Sequence, residues 1–178
     1  MVSNQATTSK SLFSRPLDLV YFGYFASHIP ITAFIDLQSL YPAEMVPQGL
    51  KDVVAWYVAT FKDPFMGATA PMYWFQGVVF CEMFLQLPFF FAACYGLWKN
   101  SLYIRLPLIV YASHVATTLA PTLAELLYNP EYGLTDMERY TLCGFYLPYL
   151  IIPLMILIDS YVRISKVISP ASTHSKTD

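Results

Sequence analysis

The chain alternates long apolar stretches with shorter polar connections. Four of the stretches approach the ~20 helical residues that a hydrocarbon layer of about 30 Å requires, and they cover residues 17–40, 75–97, 104–127 and 140–164. Lipid offers no partner to unpaired backbone groups, and the period-two alternation of membrane strands is absent. The pattern therefore predicts an all-α fold, an integral membrane four-helix bundle.

The connections between these stretches differ in length and character. Residues 98–103 predict a tight turn, and residues 128–139 a polar loop. The long connection over 41–74 contains "GLKDVVAWYVATF", which predicts a helix that folds back over the bundle or lies in the membrane interface. Its apolar face is formed by Val53, Val54, Trp56, Tyr57 and Phe61.

Polar segments flank the predicted transmembrane domain of residues 17–164. Residues 1–16 form an N-terminal segment that lacks an obvious cleavage site, and we expect it to be retained. Residues 165–178 form a C-terminal tail, which we expect to be disordered from about residue 167.

Composition supports the membrane assignment. Hydrophobic residues make up 56% of the 178 residues and charged residues only 12%, against roughly 25% in soluble domains. The net charge of -2 is uninformative, and no basic cluster indicates nucleic acid as a partner. Cys81, Cys94 and Cys143 lack metal-ligand spacing, so we interpret them as packing residues and predict neither a metal site nor a cofactor.

The basic residues predict an orientation. Seven of the ten fall on one side of the four spans: Lys10, Arg15, Lys99, Arg105, Arg163, Lys166 and Lys176. Lys51, Lys62 and Arg139 fall on the other side. The positive-inside rule then places both termini in the cytoplasm and the long connection on the luminal side.

Two carboxylates lie inside the predicted spans. With this orientation, Asp36 is about 4 residues, roughly 6 Å, below the luminal end of its helix. Glu82 is about 7 residues, roughly 10 Å, below the same end of the next helix. Ionisable groups in a membrane normally face the bundle interior, often with a partner, so we expect these two to be neighbours.

Helical spacing extends this pattern to other polar groups. They form stripes on each span: His28, Thr32 and Asp36; Glu82 and Gln86; His114, Thr118 and Glu125; Tyr146, Tyr149 and Pro153. Four inward stripes predict an apolar-walled pocket with a few polar groups, as in small-molecule sites. Snorkelling of Asp36, or interhelical hydrogen bonding by Glu82 and the two histidines, are the alternatives. Spacing alone makes Asp63 a solvated charge or a turn residue before Pro64.

Such a pocket has two chemical interpretations. A carboxylate among aromatic rings can bind a lipophilic cation through ion pairing and cation–π attraction. The same groups could instead stabilise a carbocation during proton transfer on a sterol double bond. The residues by themselves do not decide between a binding protein and an isomerase.

Several segments resemble the sigma-2 receptor (transmembrane protein 97) branch of the EXPERA family of four-helix membrane proteins. The matching stretches are "SHIPITAFIDLQ", "WYVATFKDPF", "FCEMFLQLPFF", "IVYASHVATTLAP" and "ERYTLCGFYLPYLIIP", in family order over about residues 20–160. The superfamily also contains the emopamil-binding sterol Δ8–Δ7 isomerases.

The resemblance implies a pocket for sterols and amines that opens sideways to the membrane, with no catalytic residues assigned. It makes Asp36 the ligand-pairing carboxylate and Asp63 its support. Other implied ligand-binding residues are Glu82, Gln86, His28, Thr118 and Tyr149. It also implies residence in the endoplasmic reticulum membrane, contact with membrane lipids, and a Niemann–Pick C1-type sterol transporter as partner, and it leaves a homodimer open. The end "THSKTD" departs from the lysine-rich tail of many members.

Three functional hypotheses follow. The favoured one is a non-catalytic protein that binds sterols and lipophilic amines and regulates sterol homeostasis or trafficking. The second is a sterol Δ8–Δ7 isomerase that works through carboxylate and histidine acid–base chemistry. The third is a structural or chaperone-like membrane partner, whose polar groups only hold the bundle together.

Overall fold

The structure, a computed structural model, describes residues 11–169 and is helical throughout its regular elements. Its helices are α1 (Pro16–Phe34), α2 (Gln48–Phe61), α3 (Tyr73–Cys81), α4 (Leu87–Trp98), α5 (Arg105–Tyr128), α6 (Asp136–Tyr146) and α7 (Pro148–Ile168). The expectations for residues 1–10 and 170–178 lie outside the described residues.

Within residues 11–169, three helical segments are long and apolar enough to cross a membrane. They are Tyr73–Trp98, which joins α3 and α4, Arg105–Tyr128, which is α5, and Asp136–Ile168, which joins α6 and α7. The first two agree with the predicted spans within two residues at each end. The third begins four residues before the predicted 140 and ends four residues after 164, because a capping box at Thr135 and Glu138 starts α6 inside the predicted loop.

The first predicted span, 17–40, is too long at its C-terminal end. The α-helix α1 ends at Phe34, after which Ile35 has φ -116° and ψ -62° and the chain tightens into a 3₁₀ turn over Asp36–Ser39. Apolar residues continue past this point, and Leu37 is completely buried. Hydropathy alone therefore could not locate the helix end. With 19 residues, α1 is shorter than the three segments above.

The predicted helix in the long connection is confirmed as α2. It folds back onto α6, where the rings of Phe61 and Phe145 meet edge to face at 4.8 Å. An ion pair between Lys62 and Glu138 joins the end of α2 to the start of α6. All α2 side chains keep some exposure, so this helix covers the structure rather than forming its core.

The main core lies among α1, α4, α5 and α7. It contains several completely buried side chains, including Phe25, Phe90, Leu97, Leu108 and Ile156. The outer faces of the same helices expose large apolar side chains, among them Phe84, Val110 and Ile158. A water-soluble protein rarely exposes so much continuous apolar surface, and contact with lipid explains it.

A cluster of charges closes one end of this core. Asp18 is completely buried and pairs with Arg15, with Arg105 (Nη2–Oδ1 2.7 Å) and with Arg163 (Nη2–Oδ1 3.4 Å). Arg15, Arg105 and Arg163, which the sequence predicts on the same side of the membrane, therefore lie together at one end of the helical core. Lys62 pairs with Glu138 at the start of α6, near the other end.

Candidate ligand-binding site

A cavity of about 740 Å³ lies between α1, α2, α3, α5 and the α6–α7 segment. Its volume falls in the range of roughly 300–1,000 Å³ that is typical of small-molecule sites. All seven residues predicted as ligand-binding line it: Asp36, Asp63, Glu82, Gln86, His28, Thr118 and Tyr149. The family resemblance thus named residues that share a cavity, while their role in binding stays a prediction.

Thr32 connects Asp36 and Glu82, the two carboxylates that the sequence predicts at a similar depth in the membrane. Its hydroxyl donates to Glu82 Oε1 at 2.7 Å and lies 3.3 Å from Asp36 Oδ2. The carboxyl groups of Asp36 and Glu82 are also within hydrogen-bonding reach of each other. Two carboxyl groups this close repel each other when both are ionised, which favours a single negative charge on the pair.

A π-helical turn over Glu82–Gln86 places Glu82 and Gln86 on the cavity wall. Its wide turn is closed by a bond from the Leu87 N–H to the Glu82 carbonyl. Pro88 supplies the cause, because in an uninterrupted α-helix its ring would clash with the carbonyl of Phe84 and its missing N–H would leave that carbonyl unpaired. Single π turns of this kind occur frequently at functional sites.

Asp63 is 1% exposed, so one expectation from spacing alone, a solvated charge, is wrong, whereas the other, a turn residue before Pro64, agrees with the structure. Its Oδ1 accepts the backbone N–H groups of Phe65 (2.9 Å) and Met66 (3.1 Å). Its Oδ2 accepts the hydroxyls of Tyr57 (3.0 Å) and Tyr146 (2.8 Å). Four bonds occupy the lone pairs of this carboxylate, so Asp63 is fixed in place and acts on the cavity mainly through its charge.

Burial, reinforced by the charge of Asp63, raises the pKa of Tyr57 above its ordinary value. The phenol of Tyr57 therefore stays protonated across the physiological pH range and keeps donating to Asp63. Because α2 carries Tyr57, this bond also ties the covering helix to the cavity wall. Trp56 and Val53 extend the same wall with apolar surface.

The remaining predicted residues form a less charged part of the wall. His28 Nδ1 lies 2.7 Å from the Tyr24 carbonyl, and its ring meets the ring of Tyr149 edge on at 4.8 Å. Thr118 donates to the Val115 carbonyl at 3.0 Å, so its hydrogen is used within α5. Gln86 is buried, and its side-chain amide forms no hydrogen bond with another described residue.

The predicted stripe on α5 is partly wrong. Thr118 lines the cavity but His114 and Glu125 do not, and Glu125 instead accepts from Asn129 Nδ2 (2.6 Å) and the Tyr132 hydroxyl (3.0 Å). The cavity-lining residues of α5 are Tyr111, Val115, Thr118, Leu119 and Thr122. They have equally regular helical spacing but mix apolar and polar residues, so selecting polar positions missed them.

Comparison with known proteins identifies the family to which the chain belongs. The profile of EBP, the EXPERA (EXPanded EBP superfamily) domain, matches residues 49–160. The chain belongs to the EXPERA family. The matched range includes Asp63, Glu82, Gln86 and the cavity-lining part of α5.

Among individual relatives, the chain is similar to the sigma-2 receptors. It is 42% identical over 152 residues to "Sigma intracellular receptor 2" of Xenopus tropicalis, covering 82% of this chain and 88% of that protein. The human protein of the same name is 43% identical over 148 residues, covering 76% and 81%. A Schizosaccharomyces pombe protein, "Efficient mitochondria targeting-associated protein 19", is 27% identical over 173 residues, covering 93% and 89%.

Proposed function

We propose that this EXPERA protein binds sterols and lipophilic amines in its cavity and regulates sterol homeostasis or trafficking in the endoplasmic reticulum membrane. The observation that carries the proposal is the carboxyl pair of Asp36 and Glu82, held by Thr32 on the wall of a largely apolar cavity. A charge held beside apolar walls suits a ligand that is both cationic and lipophilic.

Asp36 is the carboxylate with capacity left for a ligand. Among the described residues it interacts with Thr32 and with Glu82, whereas Asp63 already accepts four hydrogen bonds. An ammonium group at Asp36 would replace the shared proton as the positive partner. The rings of Tyr57, Tyr149 and Trp56 line the same cavity and would add cation–π attraction.

The proposal includes a topology of four membrane helices with both termini in the cytoplasm. With 19 residues at 1.5 Å each, α1 spans roughly 28 Å, close to the hydrocarbon thickness. It packs against α4, itself part of a membrane-spanning segment. The cluster of Arg15, Arg105 and Arg163 would face the cytoplasm, as the positive-inside rule prefers.

The similarity to sigma-2 receptors supports the partners in this proposal. We include membrane lipids, a Niemann–Pick C1-type sterol transporter and a homodimer among them, on the family resemblance alone. The name of the human relative describes an intracellular receptor, in agreement with a binding function.

A second candidate function, a sterol Δ8–Δ7 isomerase, is favoured by the same carboxyl pair. Two carboxyl groups that share a proton can donate it to a double bond and accept one from the neighbouring carbon. This reading requires that the purified protein convert a Δ8 sterol into its Δ7 isomer. Binding of the Δ8 sterol without conversion would exclude it.

The test of the main proposal is binding of a lipophilic tertiary amine to the full chain in lipid nanodiscs. We expect Asp36→Asn to lower the affinity by about 100-fold, since an ion pair in a low-dielectric site is lost. Asp52→Asn, on the exposed face of α2, is the matched control and should bind as the wild type does. Unchanged affinity in Asp36→Asn would contradict the proposal.

Thermal stability separates the third hypothesis, a structural or chaperone-like partner, from the first. A protein that binds the amine should melt at higher temperature as the amine concentration rises. If the polar groups only hold the helices together, Asp36→Asn should lower the melting temperature while the amine stabilises neither protein.

A further inference from the structure

The C-terminal end of α7 extends beyond the charge cluster that closes the core. The segment Asp136–Ile168 has 33 residues, which span roughly 50 Å at 1.5 Å each, whereas the hydrocarbon layer is only about 30 Å thick. Arg163 still pairs with Asp18 and Asp159 at the end of the core. The residues that follow it reach roughly 8 Å further along the axis, which is the level of the lipid headgroups when α7 crosses the membrane.

One face of α7 changes from apolar to polar towards this end. Met155, Ile158 and Val162 follow helical spacing, and their side chains are between 39% and 63% exposed. Ser165 and Ser169 continue the same face. An exposed apolar strip that ends in hydroxyl groups matches the chemistry of a phospholipid, in which an acyl chain leads to a phosphate.

The polar end of this face borders a shallow depression that contains a cation. The depression has a volume of about 480 Å³ and is lined by Tyr161, Val162, Ser165, Lys166 and Ser169. Lys166 is exposed, and no ion pair joins its ammonium group to another described residue. Ammonium and hydroxyl groups donate hydrogen bonds, and phosphate oxygens accept them. The depression therefore offers donors to an anion.

The surrounding charges favour an anionic lipid over a zwitterionic one. Among the described residues, this end of the bundle carries five basic residues and two acidic ones: Arg15, Lys99, Arg105, Arg163 and Lys166, with Asp18 and Asp159. Neither carboxylate is available to the cation of a zwitterionic lipid, since Asp18 is completely buried and Asp159 pairs with Arg163 at 2.9 Å. The excess of three positive charges attracts a headgroup with net negative charge.

We infer that the depression beside Lys166 binds an anionic phospholipid, with its phosphate at Lys166 and Ser165 and an acyl chain along Val162 and Ile158. A soluble phosphate would leave the apolar strip uncovered, so the occupant is the intact lipid. This site lies at the opposite end of the bundle from the Asp36–Glu82 pair and goes beyond the proposed function, which includes membrane lipids without a class or a place.

The test compares lipids that share their acyl chains. Native mass spectrometry of the full-length protein, released from detergent micelles, counts the lipids bound to each molecule. The probes are phosphatidylserine, phosphatidylcholine and glycerophosphoserine, which carries the anionic headgroup without acyl chains. We expect the wild type to bind phosphatidylserine about tenfold more tightly than phosphatidylcholine. Glycerophosphoserine at the same concentration should not displace phosphatidylserine.

Two variants and a control then locate the site. Lys166→Gln should lower the affinity for phosphatidylserine about fivefold, since one basic residue near a membrane surface contributes roughly this factor. Ile158→Ser should weaken both lipids by about threefold and keep their ratio, since it removes apolar contact with the acyl chain. Lys51→Gln, on α2 at the other end of the bundle, makes the same change of charge and should bind both lipids as the wild type does.

Three outcomes would overturn the inference. Equal binding of the two lipids by the wild type excludes recognition of the anionic headgroup. Equal losses in Lys166→Gln and Lys51→Gln show that the preference comes from the total charge of the protein. Displacement by glycerophosphoserine shows that a soluble anion occupies the depression. Binding of a tertiary amine at Asp36 should be unchanged in Lys166→Gln, so each of these results leaves the proposed function intact.

Discussion

Arg105 binds Asp18 across the starts of α5 and α1, with Arg105 Nη2 2.7 Å from Asp18 Oδ1. Both residues are buried, with 3% and 0% exposure. Arg15 pairs with the same carboxylate and donates through Nη2 to the Leu97 carbonyl (2.7 Å), which joins the end of α4 to the cluster. Asp159 of α7 lies 3.6 Å from Arg105 Nη1. The cluster therefore connects the four helices that form the main core.

Removing Arg105 should destabilise the protein strongly. Arg105→Met keeps most of the side-chain volume but removes one ion-pair partner of the buried Asp18 carboxylate. This loss costs about 3–5 kcal/mol of stability. The measurement is the thermal unfolding midpoint in detergent micelles. In the double variant with Asp18→Asn the loss should be smaller than the sum of the single losses, since the two residues interact directly.

Arg163 provides the control within the same cluster. It pairs with Asp18 at 3.4 Å and with Asp159 at 2.9 Å, but its side chain is 36% exposed. Partly exposed ion pairs contribute roughly 0–1 kcal/mol, so Arg163→Met should shift the midpoint little. Equal losses in Arg105→Met and Arg163→Met would contradict the importance of burial at this end of the core.

Gly96 makes a close helix contact that a methyl group would prevent. A Cβ at this position would lie 2.6 Å from both Cβ and Cγ1 of Ile104. Gly96→Ala should therefore destabilise the turn between α4 and α5 by about 1–3 kcal/mol, as overpacking does. Thermal unfolding again measures the effect, and adding Ile104→Ala should recover part of it.

Gly77 is the matched control for this substitution. It also lies in a helix, α3, but a Cβ there would meet nothing within 4 Å. Alanine favours a helix over glycine by about 1 kcal/mol, so Gly77→Ala should be neutral or slightly stabilising. If both glycine variants behave alike, steric contact with Ile104 is not the reason for Gly96.

Asn100 lies just after the end of α4 in a left-handed conformation, with φ 51°. Its N–H bonds to the Leu97 carbonyl at 3.1 Å, and Ser101 N–H bonds to the Gly96 carbonyl at 2.9 Å. A β-branched residue in this conformation is strained, so Asn100→Val should lower stability by about 1–2 kcal/mol. Asn100→Gly should be close to neutral because glycine adopts this conformation freely. Equal unfolding midpoints for the two variants would contradict the argument.

Hydropathy predicted the long helices well because α5 and the α3–α4 segment consist mostly of apolar residues that lipid or the core can accept. It failed at Phe34, where the α-helix ends although apolar residues such as Ile35 and Leu37 still follow. It also could not show that Asp18 is buried, because two of the three arginines that compensate its charge, Arg105 and Arg163, come from distant parts of the sequence. Helix ends and buried charges depend on tertiary contacts, which a local pattern does not contain.

The cavity was predictable to a similar extent. Common depth correctly made Asp36 and Glu82 neighbours, although Asp36 lies in the 3₁₀ turn just after α1 and not inside the predicted helix. His114 was misplaced because two stripes pass through Thr118 and polarity selected the wrong one. Helical spacing alone could not place Asp63 at the cavity, because its partner Tyr146 is separated from it by 83 residues. Only the family resemblance placed it at the site.

Asp63 should influence cation binding without touching the ligand. In Asp63→Asn, the side-chain oxygen can still accept from Phe65 and Met66, so the turn after α2 should survive while the charge is lost. A charge that acts at a distance does so through an effective dielectric constant of about 20, so we expect the affinity for a tertiary amine to fall about tenfold. The loss expected for Asp36→Asn is larger because that carboxylate pairs with the ammonium directly. A fall as large as that of Asp36→Asn would show that Asp63 contacts the ligand itself, and no fall at all would show that its charge does not reach the cavity.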